Sequence, residues 1–151
     1  MSFLKNELLS KLQHYCSYRE RCHYEVEQKL YSLGCKKNTA DEIIADLISS
    51  GFLNEQRFAN AYAGGKFRTL NWGKTKITRK LAEKKVPAKI ISEALRSIEE
   101  SDYQKSLENL VKNHSSKLKT YSDKQKMIKF LMTKGFEYDR ILEAIKTVQS
   151  Y

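Results

Sequence analysis

The chain has 151 residues, of which 40% are hydrophobic and 30% charged, and its formal net charge is +10. This composition is typical of a soluble globular protein and excludes an intrinsically disordered chain. No stretch approaches 18 consecutive apolar residues, so a membrane-spanning helix is excluded as well.

Turn-forming residues are scarce, with one proline, Pro87, and six glycines. Because strands need frequent turns, this scarcity favours an all-helical fold. The three cysteines are irregularly spaced, which favours a reducing cytoplasm over a disulfide framework. Charges interrupt the apolar positions of the amino-terminal residues, so we expect no signal peptide and a cytoplasmic protein.

Apolar residues at helical spacing predict nine helices in chain order. Gly34 ends the second helix, and Thr39 with Glu42 predicts a capping box at the start of the third. Gly51 occupies the usual glycine position after the third helix, and Asn54 can cap the fourth.

The fourth helix contains Gly64 and Gly65, which predict a weak point or a bend. A basic helix follows over residues 73–85, and Pro87 fits the first turn of the next helix. Two further capping boxes are expected, and their residue pairs are Ser101 with Gln104 and Ser122 with Gln125.

Three segments share a leucine that is followed five residues later by an apolar residue or a thiol. These leucines, Leu30, Leu81 and Leu131, lie 51 and 50 residues apart. A period near fifty residues, with three helices in each unit, predicts a tandem helical array. We expect three-helix repeats at residues 1–51, 52–100 (the basic repeat) and 101–151, stacked into an elongated molecule.

Residues 66–89 carry nine lysines or arginines and one acidic residue, Glu83, which is a net +8 of the total +10. Ile77 and Leu81 give the basic helix an apolar side, and Lys76, Arg79 and Lys80 lie on the opposite side. A solvated helix face is one interpretation. We favour a binding face, because solvated faces usually mix both signs of charge.

The sequence gives no case for an enzyme or for a cofactor. His14, His23 and His114 have no partner spaced for a catalytic triad or a zinc pair. Cys16, Cys22, His23 and Cys35 match no zinc spacing, so we expect no metal site. Glycine-rich phosphate loops are absent.

Aromatic residues flank the basic segment. Trp72 can stack on exposed bases or on a partner's arginine, but packing at a junction between helical units is the interpretation that we favour for it.

Residues 54–62 (NEQRFANAY), Lys66 and residues 72–86 (WGKTKITRKLAEKKV) resemble the signature of the RecX family, the regulators of the RecA recombinase. Residues 19–34 and 130–145 resemble the first and last units of that family, so the resemblance covers nearly the whole chain. The chain departs from the family pattern at Cys22, where a capping serine is usual, and at Lys85, where a glycine is usual.

The resemblance implies a curved array of three three-helix units that acts as a monomer. It implies binding to RecA, free or as a filament on single-stranded DNA, and inhibition of its ATPase, strand exchange and filament growth. Non-specific binding to single-stranded or duplex DNA is also implied, and so is a role in recombination, DNA repair and the SOS response.

Seven basic residues are the expected contacts to acidic groove residues or to DNA. They are Lys66, Arg68, Lys74, Lys76, Arg79, Lys80 and Lys84. The family motif adds residues whose role is either partner contact or structure, namely Arg57, Phe58, Tyr62, Trp72 and Gly73. For Arg57, an ion pair with Glu55 or with a carboxylate of another helix competes with a partner contact.

Two other functions remain open. A helix-turn-helix-like protein would act directly on DNA, but base readout requires Arg, Asn or Gln at the front of a recognition helix, where this chain has mostly lysine. A plain helical adaptor would have no affinity for nucleic acid at low salt and no effect on RecA.

Overall fold

The computed structural model describes residues 2–114 and 118–149, and this part of the chain forms nine α-helices and no strand. The helices are α1 (Ser2–Tyr18), α2 (His23–Ser32), α3 (Lys37–Ser49), α4 (Glu55–Leu70), α5 (Lys74–Glu83), α6 (Ala88–Arg96), α7 (Glu100–Asn113), α8 (Tyr121–Thr133) and α9 (Tyr138–Gln149). The all-α prediction is confirmed. In the described residues, no helix is long and apolar enough to cross a membrane.

The chain divides into two compact units. The first unit comprises Met1–Tyr62 and Leu81–Glu93, and the second comprises Ala63–Lys80 and Ala94–Tyr151. The division into three sequence repeats stays a prediction.

The core of the first unit lies among α1, α2 and α3. Each of these helices buries residues spaced three or four apart, as an amphipathic helix does. The buried residues are Leu8, Leu12, Cys16, Val26, Leu30, Ala40, Ile43, Leu47 and Leu53. Full burial of one such leucine or isoleucine contributes about 1.5–3 kcal/mol to stability.

The core of the second unit is organised by α9, which packs against α7 and α8. The buried residues of α7 lie four positions apart, and those of α9 lie three and four positions after the first of them. Each helix therefore presents one apolar stripe. They are Tyr103, Leu107 and Val111 of α7 and Ile141, Ala144 and Ile145 of α9. Tyr103 is the one polar-headed side chain in this set, and its hydroxyl has hydrogen-bond partners in the unit.

The three repeated leucine segments end their helices with the same turn. In each turn, an N–H donates a hydrogen bond to the leucine carbonyl five residues earlier, as in a Schellman motif. The pairs are Cys35 to Leu30 (3.0 Å), Val86 to Leu81 (3.2 Å) and Phe136 to Leu131 (3.1 Å). The residue before each donor has a positive φ, and these residues are Gly34 (83°), Lys85 (61°) and Gly135 (102°). Only Lys85 carries a Cβ in this strained conformation.

Two predicted capping boxes are wrong because their helices begin earlier. α3 begins at Lys37, so Thr39 lies inside its first turn. α7 begins at Glu100, so Ser101 is a helical residue. A cap needs extended backbone, and the chain adopts it before these residues, with φ −84° and ψ 159° at the N-cap of α3.

The predicted box at Ser122 is also wrong, since the box forms two residues earlier. Asp123 N donates to Thr120 Oγ1 (3.1 Å), and Thr120 N donates to the Asp123 carboxylate (3.2 Å). The prediction for α4 is confirmed, because Asn54 Oδ1 accepts from Arg57 N at 2.8 Å. Pro87 directly precedes α6, and its carbonyl accepts from Ile91 N at 3.0 Å.

Candidate functional site

The basic residues of α5 lie on the side opposite its buried residues. Ile77 is fully buried, while Arg79 is exposed and Lys76 and Lys80 are half-buried. The spacing of 76, 79 and 80 places these three on one face of a helix, as the sequence predicted. The second unit therefore presents a basic helix face.

Trp72 lies between two lysines of the second unit. The Lys76 Nζ is 4.5 Å from the centroid of the indole ring, and the Lys66 Nζ is 5.3 Å from it. Both distances suit a cation–π interaction, which contributes about 0.5–1 kcal/mol at an exposed site. The half-buried ring thereby orders two positive charges.

Arg68 lies against its own helix. A Cβ atom built on Gly64 would come within 2.6 Å of the Arg68 Nη1 atom, so the absence of a side chain at Gly64 gives the guanidinium its position. α4 is helical through Gly64 and Gly65. Gly64 is therefore a contact position for Arg68.

Two of the seven predicted contact residues form ion pairs within their own units. In the second unit, Lys74 Nζ is 3.7 Å from a Glu100 carboxylate oxygen. In the first unit, Lys84 Nζ is 3.7 Å from a Glu25 carboxylate oxygen. These pairings reduce the positive field that the two lysines offer to a partner.

Three of the predicted contacts are not neutralised in this way. Across residues 2–114 and 118–149, no carboxylate lies within 4.0 Å of the charged groups of Arg68, Lys76 and Arg79. We call these three residues and Trp72 the cationic face, and all four belong to the second unit. The assignment of these residues to partner contact stays a prediction.

The start of α5 is held by other elements of the second unit. Gly73 N donates to Lys134 O (2.8 Å), and Thr75 N donates to Gly135 O (2.9 Å). Lys74 N donates to the Tyr103 hydroxyl oxygen (2.9 Å). The first N–H groups of a helix have no partner within it, so these acceptors satisfy groups that would otherwise need water.

Tyr103 links this helix start to α9. Its hydroxyl donates to the Glu137 carboxylate, and its ring packs on Phe136 with centroids 5.3 Å apart. Burial, aided by the Glu137 acceptor, raises the pKa of Tyr103, so the hydroxyl keeps its proton. Arg140 completes the cluster by pairing with Glu100 and holds the pKa of that carboxyl below its usual range.

Gly73 and Gly135 make a backbone contact that no other residue type permits. A Cβ atom on Gly73 would lie 2.3 Å from the carbonyl carbon and oxygen of Gly135. The sequence left the role of Gly73 open between partner contact and structure. This close approach favours a structural role, and the assignment stays a prediction. Sequence reasoning gave no role in the site to Gly135, Glu137 or Tyr103.

The motif residues of the first unit also make internal contacts. The Arg57 guanidinium pairs with Glu20 and donates to the carbonyls of Gly51 (3.0 Å) and Phe52 (3.4 Å). The ion-pair partner of Arg57 is Glu20, in the loop before α2, rather than Glu55. A partner contact for Arg57 stays a prediction.

The remaining motif aromatics of the first unit lie on α4. Phe58 is buried, and its ring centroid is 5.8 Å from that of Tyr62. Burial raises the pKa of the Tyr62 hydroxyl. These two rings therefore pack together along one side of the helix.

The described residues contain no group of three His, Cys, Asp or Glu side chains that could hold a metal ion. Cys16, Cys22 and Cys35 are free thiols. Burial raises the pKa of the Cys22 thiol to about 11, so this thiol is unreactive at neutral pH.

Comparison with protein families gives one domain match. Residues 54–95 match the family domain described as RecX, second three-helix domain. This range contains the Asn54 cap and the cationic face.

The relatives carry the same name. The chain is 26% identical over 137 residues to Regulatory protein RecX of Streptococcus agalactiae serotype V, which covers 90% of this chain and 53% of that protein. It is 24% identical over 128 residues to Regulatory protein RecX of Streptococcus gordonii, covering 84% of this chain and 50% of that protein. The chain therefore spans about half the length of these relatives.

Solved structures agree with these matches. The crystal structure of RecX from Lactobacillus salivarius superposes with a TM-score of 0.92 at 25% identity, covering 100% of both chains. A second crystal structure, of regulatory protein RecX, has a TM-score of 0.83 at 18% identity and covers 97% of this chain and 72% of that one, which shows the fold. The domain match, the named relatives and the shared fold all agree with the resemblance to RecX regulatory proteins that the sequence motifs indicate.

Proposed function

We propose that this protein binds RecA and the RecA–single-stranded DNA filament in the cytoplasm and inhibits the ATPase, strand exchange and growth of the filament. The single observation that carries the proposal is the cationic face, where Arg68, Lys76 and Arg79 have no carboxylate within 4.0 Å among the described residues. The similarity to proteins named Regulatory protein RecX supports the regulatory role, and RecA is the partner that the resemblance implies.

Electrostatic attraction is the basis of the proposed binding. A cation without an internal partner keeps its whole field for an external anion, and a RecA–DNA filament offers both carboxylates and phosphates. Trp72 holds the Lys76 ammonium 4.5 Å from its ring, so part of the ordering entropy of that side chain is already lost before binding.

The mechanism is obstruction. A bound helical protein blocks movement or addition of RecA protomers without doing chemistry of its own. Backbone contacts between Gly73, Lys134 and Gly135 fix the base of the cationic face within its unit, so the charges meet the filament as a rigid set.

The test is a RecA ATPase assay on single-stranded DNA with the protein added. Wild type is expected to inhibit ATP hydrolysis, and the triple variant Lys76→Glu, Arg79→Glu, Lys80→Glu to lose at least tenfold in potency. Losing three charge-assisted contacts of about 1 kcal/mol each accounts for a loss of that size or larger. Helical content, measured by circular dichroism, is expected to stay unchanged.

A charge-matched control separates the cationic face from overall charge. Lys119, Lys126 and Lys129 are exposed residues of the same unit, and their replacement by Glu gives the same change in net charge. This control is expected to retain most of the inhibition. Full inhibition by the triple variant at residues 76, 79 and 80, or equal loss in that variant and the control, contradicts the proposal.

A helix-turn-helix-like DNA-binding function gives a different result in the same experiments. It predicts strong preference for one duplex sequence in competition, and an effect on RecA that disappears when competitor duplex is added. The proposed function predicts weak sequence preference and inhibition that survives such competition.

A further inference from the structure

A cavity of about 450 Å³ lies in the second unit beside the cationic face. It opens between the carboxyl-terminal half of α4 and the middle of α7. Phe67, Arg68 and Asn71 line it from one side, and Lys105, Ser106 and Asn109 from the other. Its volume falls within the range of about 300–1,000 Å³ that is usual for small-ligand sites.

The cavity lining combines amides with an apolar floor. Phe67 is buried, and its ring packs on Tyr103 with centroids 5.8 Å apart, so it forms a fixed base. Ser106 Oγ donates to Asn71 Oδ1 at 3.3 Å, which leaves the Asn71 NH₂ group to donate elsewhere. Asn109 is exposed on α7. Side-chain amides donate and accept at once, as the edges of nucleobases do.

The charges at the cavity are arranged for a phosphate. Arg68 and Lys105 are exposed, and no carboxylate lies within 4.0 Å of either charged group in the described ranges. Asp102 also lines the cavity, so its carboxylate offers an acceptor for the amino group of a base, and the three charges sum to +1. Asn71 is followed by Trp72 in the chain, so the cavity adjoins the cationic face.

We propose that this cavity binds one unstacked base of a single-stranded nucleic acid, with the adjacent phosphates on Arg68 and Lys105. This inference rests on the proposed function for the class of ligand, and it adds a direct single-strand site on the regulator itself. The amides accept any base, so the site selects single strands over duplexes rather than one sequence over another.

The test uses fluorescence anisotropy without RecA. The probes are a labelled oligothymidylate of about 15 nucleotides and the same backbone with all bases removed. Wild type is expected to bind the oligothymidylate about fivefold or more tightly than the abasic strand, since one stacked base contributes about 1–3 kcal/mol. Asn109→Trp fills the cavity and is expected to remove this preference while binding of the abasic strand stays unchanged.

Controls keep the result interpretable. Gln125→Trp places the same ring at an exposed amide position of α8 outside the cavity and is expected to keep the wild-type preference. Lys105→Glu, an exposed replacement, is expected to weaken binding of both strands. Equal affinity of wild type for both strands, or a preference that survives Asn109→Trp, overturns the proposal. If a polyglutamate peptide displaces the abasic strand and the oligothymidylate to equal extents, the proposal is also overturned.

Failure here and failure of the proposed function are distinguishable. The RecA ATPase assay reports the proposed function, whereas the base-dependent affinity is measured without RecA. A protein that inhibits RecA and shows no base preference retains the proposed function and lacks this site.

Discussion

The basic residues that the sequence motif singled out have different partners in the two units. In the first unit, Arg57 pairs with Glu20, and Lys84 and Arg19 both lie within 4.0 Å of Glu25. In the second unit, the described part of the chain provides no such carboxylate for Arg68, Lys76 or Arg79. The second unit does pair Lys74, which lies at the supported start of α5.

The difference separates charge that stabilises the fold from charge that is offered to a partner. A paired cation has its field cancelled at short range, and removing it exposes a carboxylate that had a partner. An unpaired cation contributes little to stability, and its field extends over about one Debye length. The net +8 of residues 66–89 therefore overstates the charge that a partner meets.

The largest expected effect comes from disturbing the backbone contact that supports the start of α5. Gly73→Ala places a Cβ atom 2.3 Å from the Gly135 carbonyl, so backbone must move, and we expect a loss of more than about 3 kcal/mol of unfolding free energy. Gly65→Ala is the matched control, because nothing lies within 4 Å of its Cβ position, and it is expected to stabilise by up to about 1 kcal/mol. Urea denaturation measures both changes. Similar denaturation midpoints for the two variants would refute the role of Gly73 in supporting the start of α5.

The next effect compares one paired and one unpaired arginine. Arg57→Ala removes the Glu20 pair and two hydrogen bonds to carbonyls, so we expect a loss of about 2 kcal/mol. Arg79→Ala is expected to change stability by less than about 0.5 kcal/mol, since Arg79 is exposed and without a carboxylate partner in the described residues. Thermal melting followed by circular dichroism checks the difference, and equal losses would remove the distinction between the units.

A smaller effect concerns pH. Burial works to raise the pKa of Glu25, but the Cys22 N–H, Lys84 and Arg19 outweigh it and hold the pKa below the ordinary value of 4.5. A carboxyl with a lowered folded-state pKa contributes stability above its unfolded value, and this contribution is lost as the pH falls through the folded value. Glu25→Gln is therefore expected to cost about 1 kcal/mol at pH 7 and to flatten the loss of stability below pH about 4.5.

Melting temperatures at a series of pH values test this prediction. The curves of wild type and Glu25→Gln are expected to converge at acid pH, where the wild-type carboxyl is protonated. A constant offset at every pH would show that Glu25 acts through packing instead of charge.

The smallest effect concerns Lys85, a cation whose backbone matters more than its charge. Its φ of 61° is in the left-handed region that Gly34 and Gly135 occupy in the equivalent turns. Lys85→Gly removes this strain and is expected to stabilise by about 0.5–1 kcal/mol. Chemical denaturation checks the sign. Lys85→Ala, which removes the charge and keeps the Cβ atom, serves as control and is expected to give no such gain.

The helical architecture was readable from local patterns. Helical spacing of apolar residues predicted the described helices. The leucine-plus-five pattern predicted repeats, and the structure adds that the three segments end their helices with one hydrogen-bond geometry. Helix starts were less readable, because several residues near Thr39, Ser101 and Thr120 can cap, and the preceding backbone decides which one does.

The candidate site was readable only in part. The basic helix face followed from spacing, but pairing depends on residues far apart in the chain, such as Arg57 and Glu20, which are separated by 37 positions. The Tyr103 hydroxyl accepts a hydrogen bond from the Lys74 N–H, which is 29 positions away in the chain. No local signal marks either contact. A tyrosine in an otherwise aliphatic buried stripe was the one available hint that a polar partner was needed.

The most direct test of the central claim is the salt dependence of binding to RecA-coated single-stranded DNA. If the unpaired cations make the contact, Lys76→Gln with Arg79→Gln lowers the slope of log affinity against log salt concentration by about 1.5, since each lost phosphate contact accounts for about 0.7–0.9. Lys84→Gln, which removes a paired cation, leaves the slope nearly unchanged. An unaltered slope in the double variant, or an equal fall per charge in Lys84→Gln, would contradict the account.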